Sequence, residues 1–350
     1  SGGLGQGPGS IAEAIEAAAR AKGMRLVGPC SVGLIAPHAR LNASVSAHQP
    51  LPGDLALVSQ SGAVAAGLVE WGVSRSIGFS GVVSLGESLD VDFGDMLDYF
   101  ATDHRTRAIL LYVESIRDAR KFMSAARIAA RSKPVVVVKS GRHVPATGEL
   151  DTHVAALASA DAVYDAAFRR AGLLRVRALD ELFAAAETMG RLRAFSGRRL
   201  AILTNGGGVG GLAADSLLDL GGTLATLSPE TRSKLEVLLP AAWSQDNPVD
   251  ILRDADEARY SAAVEALLED ANSDALLVVN VPTALSSSTE AALALTHAVE
   301  RQPRNARHKP VFAVWLGEEA SATEALAQVH IPNYRSEADA IRGFMHLVRH

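Results

Sequence analysis

Two short segments of the chain combine a buried-strand pattern, a turn of small residues and a following helical pattern. The first turn reads Ser-Gln-Ser-Gly at residues 59–62, and the second reads Thr-Asn-Gly-Gly-Gly at residues 204–208. The first N–H groups of a helix have no partner inside the helix, and the helix dipole adds partial positive charge at that end. Each turn is therefore predicted to bind an anion, and the two together could hold one phosphate from both sides. The residues predicted to contact this phosphate are Ser61, Gly62, Gly206, Gly207 and Gly208.

His153 lies in a polar segment between a predicted buried strand and a predicted helix, at the sheet edge where doubly wound folds bind ligands. A neutral imidazole is nucleophilic near pH 7 and suits a phosphoryl carrier. Glu114 follows an earlier predicted strand, and its carboxylate could hold one ring nitrogen while the other attacks phosphorus. A structural histidine and an exposed strand-end glutamate are the simpler alternatives. Asp250, in Asn-Pro-Val-Asp at residues 247–250, is either a further site residue or part of an Asx turn.

Other chemistries fit these residues less well. A dinucleotide-binding turn at residues 204–208 needs an acidic residue about 20 positions later, at the end of the next strand, where the sequence has Ser228 and Pro229. A serine-hydrolase elbow at residues 59–62 lacks the first glycine of its motif. No grouping of cysteine and histidine has zinc-site spacing, so no metal site is predicted.

The composition is typical of a globular protein and argues against several functional classes. The 350 residues are 48% hydrophobic and 21% charged, and the net charge of −5 does not favour binding to nucleic acid or to an anionic membrane. No apolar run approaches the roughly 18 residues of a membrane span, and no signal peptide opens the sequence. The one cysteine, Cys30, excludes an internal disulfide and suits a reducing compartment. The expectation is a cytoplasmic protein.

The order of the motifs occurs twice, which predicts an internal duplication. In each copy the glycine turn is followed by an Asp-led strand, at Asp103 and Asp270, and by a Lys-Pro strand, at Lys133 and Lys309. Strands alternate with alanine-rich helical stretches, the pattern of a parallel sheet covered by helices. Strands are predicted near 55–58, 81–85, 108–113, 134–138, 200–203, 223–227, 275–281 and 311–315. Before the first copy we predict a helix over 10–22 with Ser10 as its N-cap, and a short strand over 25–27.

Together these motifs resemble the NDP-forming acyl-CoA synthetase superfamily, which includes ADP-forming acetate–CoA ligases and, more distantly, the α subunit of succinyl-CoA synthetase. The resemblance covers the whole chain and is carried by both glycine turns and by the motifs at residues 1–4, 23–29, 84–92, 139–142 and 247–251. It implies an α/β fold of two tandem flavodoxin-like domains, residues 53–195 and 196–350. Residues 1–52 are expected to be the remnant of a Rossmann-type CoA-binding domain, with Pro29 and Cys30 near the CoA site.

The resemblance also implies a reaction, that of an acid–thiol ligase that relays a phosphoryl group through a phosphohistidine. In the family this histidine precedes an aspartate by eight residues, as His153 precedes Asp161, although Val154 and Ala155 replace the usual Thr-Gly. The family's glutamate that steadies the histidine falls on Glu114. The implied ligands are a small acid, coenzyme A or acyl-CoA, and phosphate. ATP or ADP with Mg²⁺ is expected on an ATP-grasp domain or subunit outside this sequence, and the enzyme is expected to be an oligomer.

The second half is similar to one further group, the synthetase-like region of bacterial protein lysine acetyltransferases, at residues 161–172 and 280–284. In some of those proteins the region has lost the histidine and senses acyl-CoA without catalysis. A regulatory, acyl-CoA-sensing region is therefore the alternative to a ligase core. Retention of His153 favours the ligase.

Overall fold

A computed structural model describes residues 9–142, 161–192, 195–302, 308–317 and 320–348. The chain divides into two compact units, Ser1–Ala186 and Glu187–His350. Each unit is built on one mainly parallel β-sheet with helices around it. The α/β class and the two flavodoxin-like sheets predicted from the sequence are confirmed.

The first sheet has seven strands in the order β2-β1-β4-β3-β5-β6-β7 within the described residues. Strands β3 to β7 are parallel to one another, and β1 runs antiparallel to both β2 and β4. The central strands are almost wholly buried, which explains their continuous apolar sequence. The strands are β1 Gly33–Ala36, β2 Leu41–Ser44, β3 Pro52–Ser59, β4 Phe79–Ser84, β5 Ala108–Val113, β6 Val135–Lys139 and β7 Leu174–Val176.

The second sheet repeats this parallel order. Its path is β10-β8-β11-β12-β13, and β9 pairs with the first part of β8 while β10 pairs with the last part. Asn247 fills the gap between β9 and β10, because its side chain bonds to the Leu200 and Ala225 carbonyls at 3.0 and 2.8 Å and to Ile202 N at 2.9 Å. The strands are β8 Arg199–Thr204, β9 Thr223–Leu224, β10 Val249–Asp250, β11 Ala275–Asn280, β12 Val311–Trp315 and β13 Asn333–Tyr334.

The helices that cover the sheets begin mostly at serine or aspartate N-caps, whose side chains accept a backbone N–H of the first turn. In the first unit they are α1 Ile11–Ala21, α2 Gly62–Ser74, α3 Phe93–Thr102, α4 Ala119–Ser132 and α5 Asp161–Ala171, with a 3-10 turn at Pro37–Ala39. Helix α6, Leu179–Arg191, contains the division between the units. In the second unit they are α7 Gly207–Asp219, α8 Pro229–Leu238, α9 Glu257–Glu269, α10 Ser288–Glu300, α11 Ala320–Gln328 and α12 Glu337–Val348.

The two Lys-Pro motifs have the same structural role in both units. Lys133 Nζ donates to the carbonyl oxygens of Phe100 and Asp103 at 2.6 and 2.5 Å, at the end of α3. Lys309 Nζ makes the equivalent bonds at the end of α9, at 2.7 Å to each of two carbonyl oxygens. A cation at a helix C-terminus satisfies carbonyls that have no partner within the helix. The repeated sequence order therefore corresponds to a repeated structural frame.

Some predicted elements differ from the structure. The helix capped by Ser10 is present, but residues 25–27 form no strand: Leu26 N donates to the Asp90 carboxylate at 2.7 Å instead of to a neighbouring backbone. The strand predicted over 223–227 ends at Leu224. Strands β1, β2, β7, β10 and β13 were not predicted, and β1 and β2 extend the first sheet from within residues 1–52. None of the helices within the described ranges is long and apolar enough to cross a bilayer.

Candidate functional site

The first glycine turn connects β3 to α2 at the carboxyl edge of the first sheet. Ser59, the last residue of β3, accepts a hydrogen bond from Ser61 N at 3.1 Å and donates one to Ser61 O at 2.7 Å. Ser61 is the N-cap of α2, and its Oγ accepts the Val64 N–H at 3.3 Å. A Cβ on Gly62 would lie 2.3 Å from a methyl carbon of Val32, so the Val32 side chain leaves no room for a side chain at position 62. The turn presents backbone N–H groups at the start of α2.

The residue between the two serines, Gln60, links this turn to Glu114. Gln60 is buried, and its Oε1 accepts the N–H groups of Glu114 and Ser115 at 2.7 and 2.9 Å. The backbone of Glu114 is thereby fixed beside the turn, just after β5, and its side chain is half-buried. Gln60 was not among the predicted site residues. Two predicted site elements, the glycine turn and Glu114, are adjacent in the structure.

The second glycine turn has the same hydrogen-bond pattern at the end of β8. Gly206 N donates to Thr204 Oγ1 at 3.0 Å, and that hydroxyl donates to Gly206 O at 3.2 Å. Asn205 is buried like Gln60 and bonds to both backbone groups of Val281, which follows β11, at 2.8 and 2.7 Å. The repeat therefore extends to individual side chains. An amide residue at the same position of both turns was the sequence signal for this link.

The open start of α7 is bordered by Asp250. A Cβ on Gly207 would lie 2.5 Å from Asp250 Oδ2, whereas a Cβ on Gly208 would have no atom within 4 Å. The other carboxylate oxygen of Asp250 accepts the Leu252 N–H at 2.9 Å, the local turn foreseen from the sequence. A carboxylate is stabilised by the positive end of a helix. An anion bound at this turn would therefore approach from the side of Gly208.

The residues predicted near coenzyme A, Pro29 and Cys30, lie beside the end of β4. Glu87 N donates to Pro29 O at 3.0 Å, and the Cys30 thiol donates to the Glu87 carboxylate at 3.3 Å. This hydrogen bond, with some desolvation and the negative charge of Glu87, raises the pKa of the exposed Cys30 thiol. The thiol is therefore held protonated at neutral pH. The same segment continues to Val32, whose N–H donates to Ser84 Oγ at 3.2 Å and whose side chain packs on Gly62.

Two parts of the predicted site stay predictions. His153 lies outside the described residues, so the expected contact between its ring and Glu114 stays a prediction. The shared phosphate site would combine turns from two separate units, so it also stays a prediction. Among the described residues, no group of three or more histidine, cysteine, aspartate or glutamate side chains could hold a metal ion.

Two domain families match the chain. The flavodoxin domain of succinyl-CoA ligases matches residues 52–189, and the Ligase-CoA domain matches residues 200–341. The first range contains the parallel strands β3 to β7, whereas β1 and β2 of the same sheet precede it, and the second range covers β8 to β13 almost entirely.

Individual relatives agree with the domain matches. The chain is 38% identical over 339 residues to the ADP-forming acetate–CoA ligase I of Archaeoglobus fulgidus, covering 97% of this chain and 48% of that protein. It is 33% identical over 351 residues to the α subunit of ADP-forming acetate–CoA ligase I of Pyrococcus furiosus, covering 99% of this chain and 74% of that subunit. The chain thus spans about half the length of the first relative and most of the second.

A solved structure shows the same fold along the whole chain. It is the dinucleotide-forming acetyl-coenzyme A synthetase 1 of Ca. Korarchaeum cryptofilum in complex with phosphate and ADP, with a TM-score of 0.90 and 30% identity over 100% of this chain and 75% of that one. The names of these relatives do not support the acetyltransferase alternative. The two domain matches, the paired glycine turns and the identity to α subunits show that this chain belongs to the family of ADP-forming acyl-CoA synthetases.

Proposed function

We propose that this chain is the phosphoryl-relay part of an ADP-forming acetate–CoA ligase, equivalent to an α subunit. The observation that carries the proposal is the doubled glycine turn, with the backbone of Glu114 held beside its first copy. Gln60 locks Glu114 next to the open start of α2, and Asn205 locks the equivalent loop next to the open start of α7. A frame that twice presents backbone N–H groups at a helix start suits a phosphoryl group in transit.

The proposed relay has three steps. Phosphate displaces coenzyme A from the acyl thioester and gives an acyl phosphate. A ring nitrogen of His153 then attacks phosphorus, so that an N–P bond forms as the P–O bond to the acyl group breaks, and the carboxylate leaves with that electron pair. The phosphoryl group finally passes to ADP, which we place on a nucleotide-binding partner subunit or domain.

The chain's own residues would support this relay in distinct ways. Glu114 accepts the N–H of the second ring nitrogen, fixing the tautomer and stabilising the positive charge that the ring gains. The N-termini of α2 and α7, at Ser61–Gly62 and at residues 206–208, hold the phosphoryl oxygens. Coenzyme A would enter beside Pro29 and Cys30.

Labelling of the complete enzyme with ATP carrying radioactive γ-phosphate tests the proposal. The wild type should acquire label that survives base and is lost in acid, and His153→Ala should acquire none. Glu114→Gln should label about 10²–10⁴-fold more slowly, the range for a positioned acid–base group. Glu70→Gln, on the exposed face of α2, is the matched control and should label like the wild type. Label on the His153→Ala variant would refute the relay through His153.

A further inference from the structure

Lys139, the last residue of β6, is a buried lysine at the same edge of the sheet as Glu114. Its side chain is 2% exposed, and its Nζ donates to Ser140 O and lies 4.8 Å from the ring centroid of Tyr164 in α5. Lys139 is in register with Val113, the residue immediately before Glu114. The backbone of Lys139 therefore lies beside the end of β5, and its ammonium group packs on the first turn of α5.

A second buried cation, Arg175 in β7, holds the start of α5 from the other side. Its guanidinium is paired with the carboxylate of Asp161, the first residue of the helix, and donates to Asp165 Oδ1 at 3.1 Å. The Arg175 side chain is only 7% exposed. Moving one partner of a buried ion pair away leaves the other charge uncompensated, which is costly. These contacts therefore fix the position of the first turn of α5.

The charges around Lys139 belong to this same cluster. Desolvation lowers the pKa of Lys139, and the charge of Arg175 lowers it further, whereas Asp161 and Glu114 raise it. Two carboxylates from different elements therefore act on one ammonium group. Glu114 lies on the β5 side of Lys139, and Asp161 lies on the α5 side.

The second unit shows that the fold does not require these charges. Trp315 is the last residue of β12 and pairs with the last residue of β11, as Lys139 pairs with the last residue of β5. Asn333 of β13 occupies the register position of Arg175 of β7. Both replacements are neutral, although the strand order is the same. The charged cluster is thus a feature of the first unit alone at these positions.

We propose that Lys139 is a positioning residue of the phosphoryl relay, tying Glu114 to the start of α5. The inference rests on the function proposed above. The chain leaves this cluster at Ser140 and returns to it at Asp161, and His153 lies between these two points in the sequence. Lys139 therefore lies beside the strand end that carries Glu114 and beside both ends of the segment that carries the histidine.

The strand itself offers a matched control for the test. Lys133 is a partly buried lysine just before β6, at the opposite edge of the sheet, where it caps the end of α3. Lys139→Met and Lys133→Met are compared in the complete enzyme with its nucleotide-binding partner, using the rate of labelling by radioactive ATP per folded molecule. Lys139→Met should label about 10- to 100-fold more slowly, the effect of a small misplacement of reacting groups. The KM for ATP should be unchanged, because the nucleotide binds elsewhere, and Lys139→Arg should recover most of the rate.

Hydrogen exchange gives a readout that does not depend on the chemistry. Amides of residues 161–171 should exchange faster in Lys139→Met than in Lys133→Met, since Lys139 Nζ packs on Tyr164 of α5, whereas Lys133 Nζ donates to carbonyl oxygens at the end of α3. Equal labelling of Lys139→Met and wild type, or equal exchange in the two variants, would overturn the inference. An unlabelled wild type would instead refute the proposed function, and the exchange comparison alone would then decide whether Lys139 fixes α5.

Discussion

Two exposed glycines of α7 allow the anion site to be tested without damage to the fold. Neither Gly208, in the first turn, nor Gly211, one turn later, would bring an added Cβ within 4 Å of another atom. Both positions therefore have room for a Cβ, and leucine favours a helix over glycine by about 0.8 kcal/mol. Gly208→Leu and Gly211→Leu should therefore each raise the free energy of unfolding slightly, by about 0.5–1 kcal/mol.

The two variants should differ in phosphate binding. Gly208 lies at the N–H groups that the helix leaves unpaired, and the neighbouring side is bordered by Asp250, so a side chain at Gly208 would obstruct the remaining approach. Gly211 lies about 4.5 Å further along the helix axis. Losing one charge-assisted hydrogen bond costs about 1.5–3 kcal/mol, which corresponds to roughly 10- to 150-fold weaker phosphate binding.

The assay is the reaction of acetyl-CoA, phosphate and ADP in the complete enzyme, with the KM for phosphate as the readout and urea unfolding as the stability measurement. Gly208→Leu should combine higher stability with a higher KM for phosphate, while Gly211→Leu should change stability alone. Opposite changes in stability and affinity separate a blocked site from a damaged fold. If both variants have the wild-type KM, the start of α7 does not bind phosphate.

Two further expectations follow from single side chains. Gln60→Met removes the acceptor for the N–H groups of Glu114 and Ser115. It should therefore destabilise the first unit by about 2 kcal/mol in urea unfolding and slow histidine labelling. A Gln60→Met enzyme with normal labelling would contradict this role. The hydrogen bond from Arg199 lowers the pKa of Asp274 to about 2, below its unfolded value. This pair should therefore contribute about 2 kcal/mol to the free energy of unfolding above pH 4. Unfolding curves should lose that contribution as the pH falls from 4 towards 2, whereas Asp274→Asn should show no such loss.

The sequence predicts the centre of each sheet better than its margins. Strands such as Ala108–Val113 and Val311–Trp315 are continuous apolar runs because both of their faces are buried, and their predicted bounds match the structure. Strands β1 and β2 were missed because they are short and only partly buried, and they join the sheet through antiparallel pairing with a strand far along the chain. Strands β9 and β10 are two residues each, and their position depends on the side chain of Asn247.

The candidate site shows a similar limit. The glycine turns are local features, and their sequence predicts both the turn and the helix that follows. The link from Gln60 to Glu114 spans 54 positions, so it depends on β3 and β5 lying side by side, which a single sequence does not specify. The pairing of Arg175 with Asp161 spans only 14 positions, but it depends on how α5 packs against β7, which no local motif indicates.

The duplication separates what the fold needs from what the chemistry needs. Gln60 and Asn205 hold the loops after β5 and β11 with the same kind of hydrogen bonds, so the frame is common to both units. The residues that these amides hold are different: the first loop begins with Glu114 and the second with Val281. A carboxylate is therefore dispensable for building the loop, because valine serves at the equivalent position. Glu114 is better explained by a task that only the first unit performs, and holding an imidazole that gains positive charge is a task that a carboxylate meets and an isopropyl group does not.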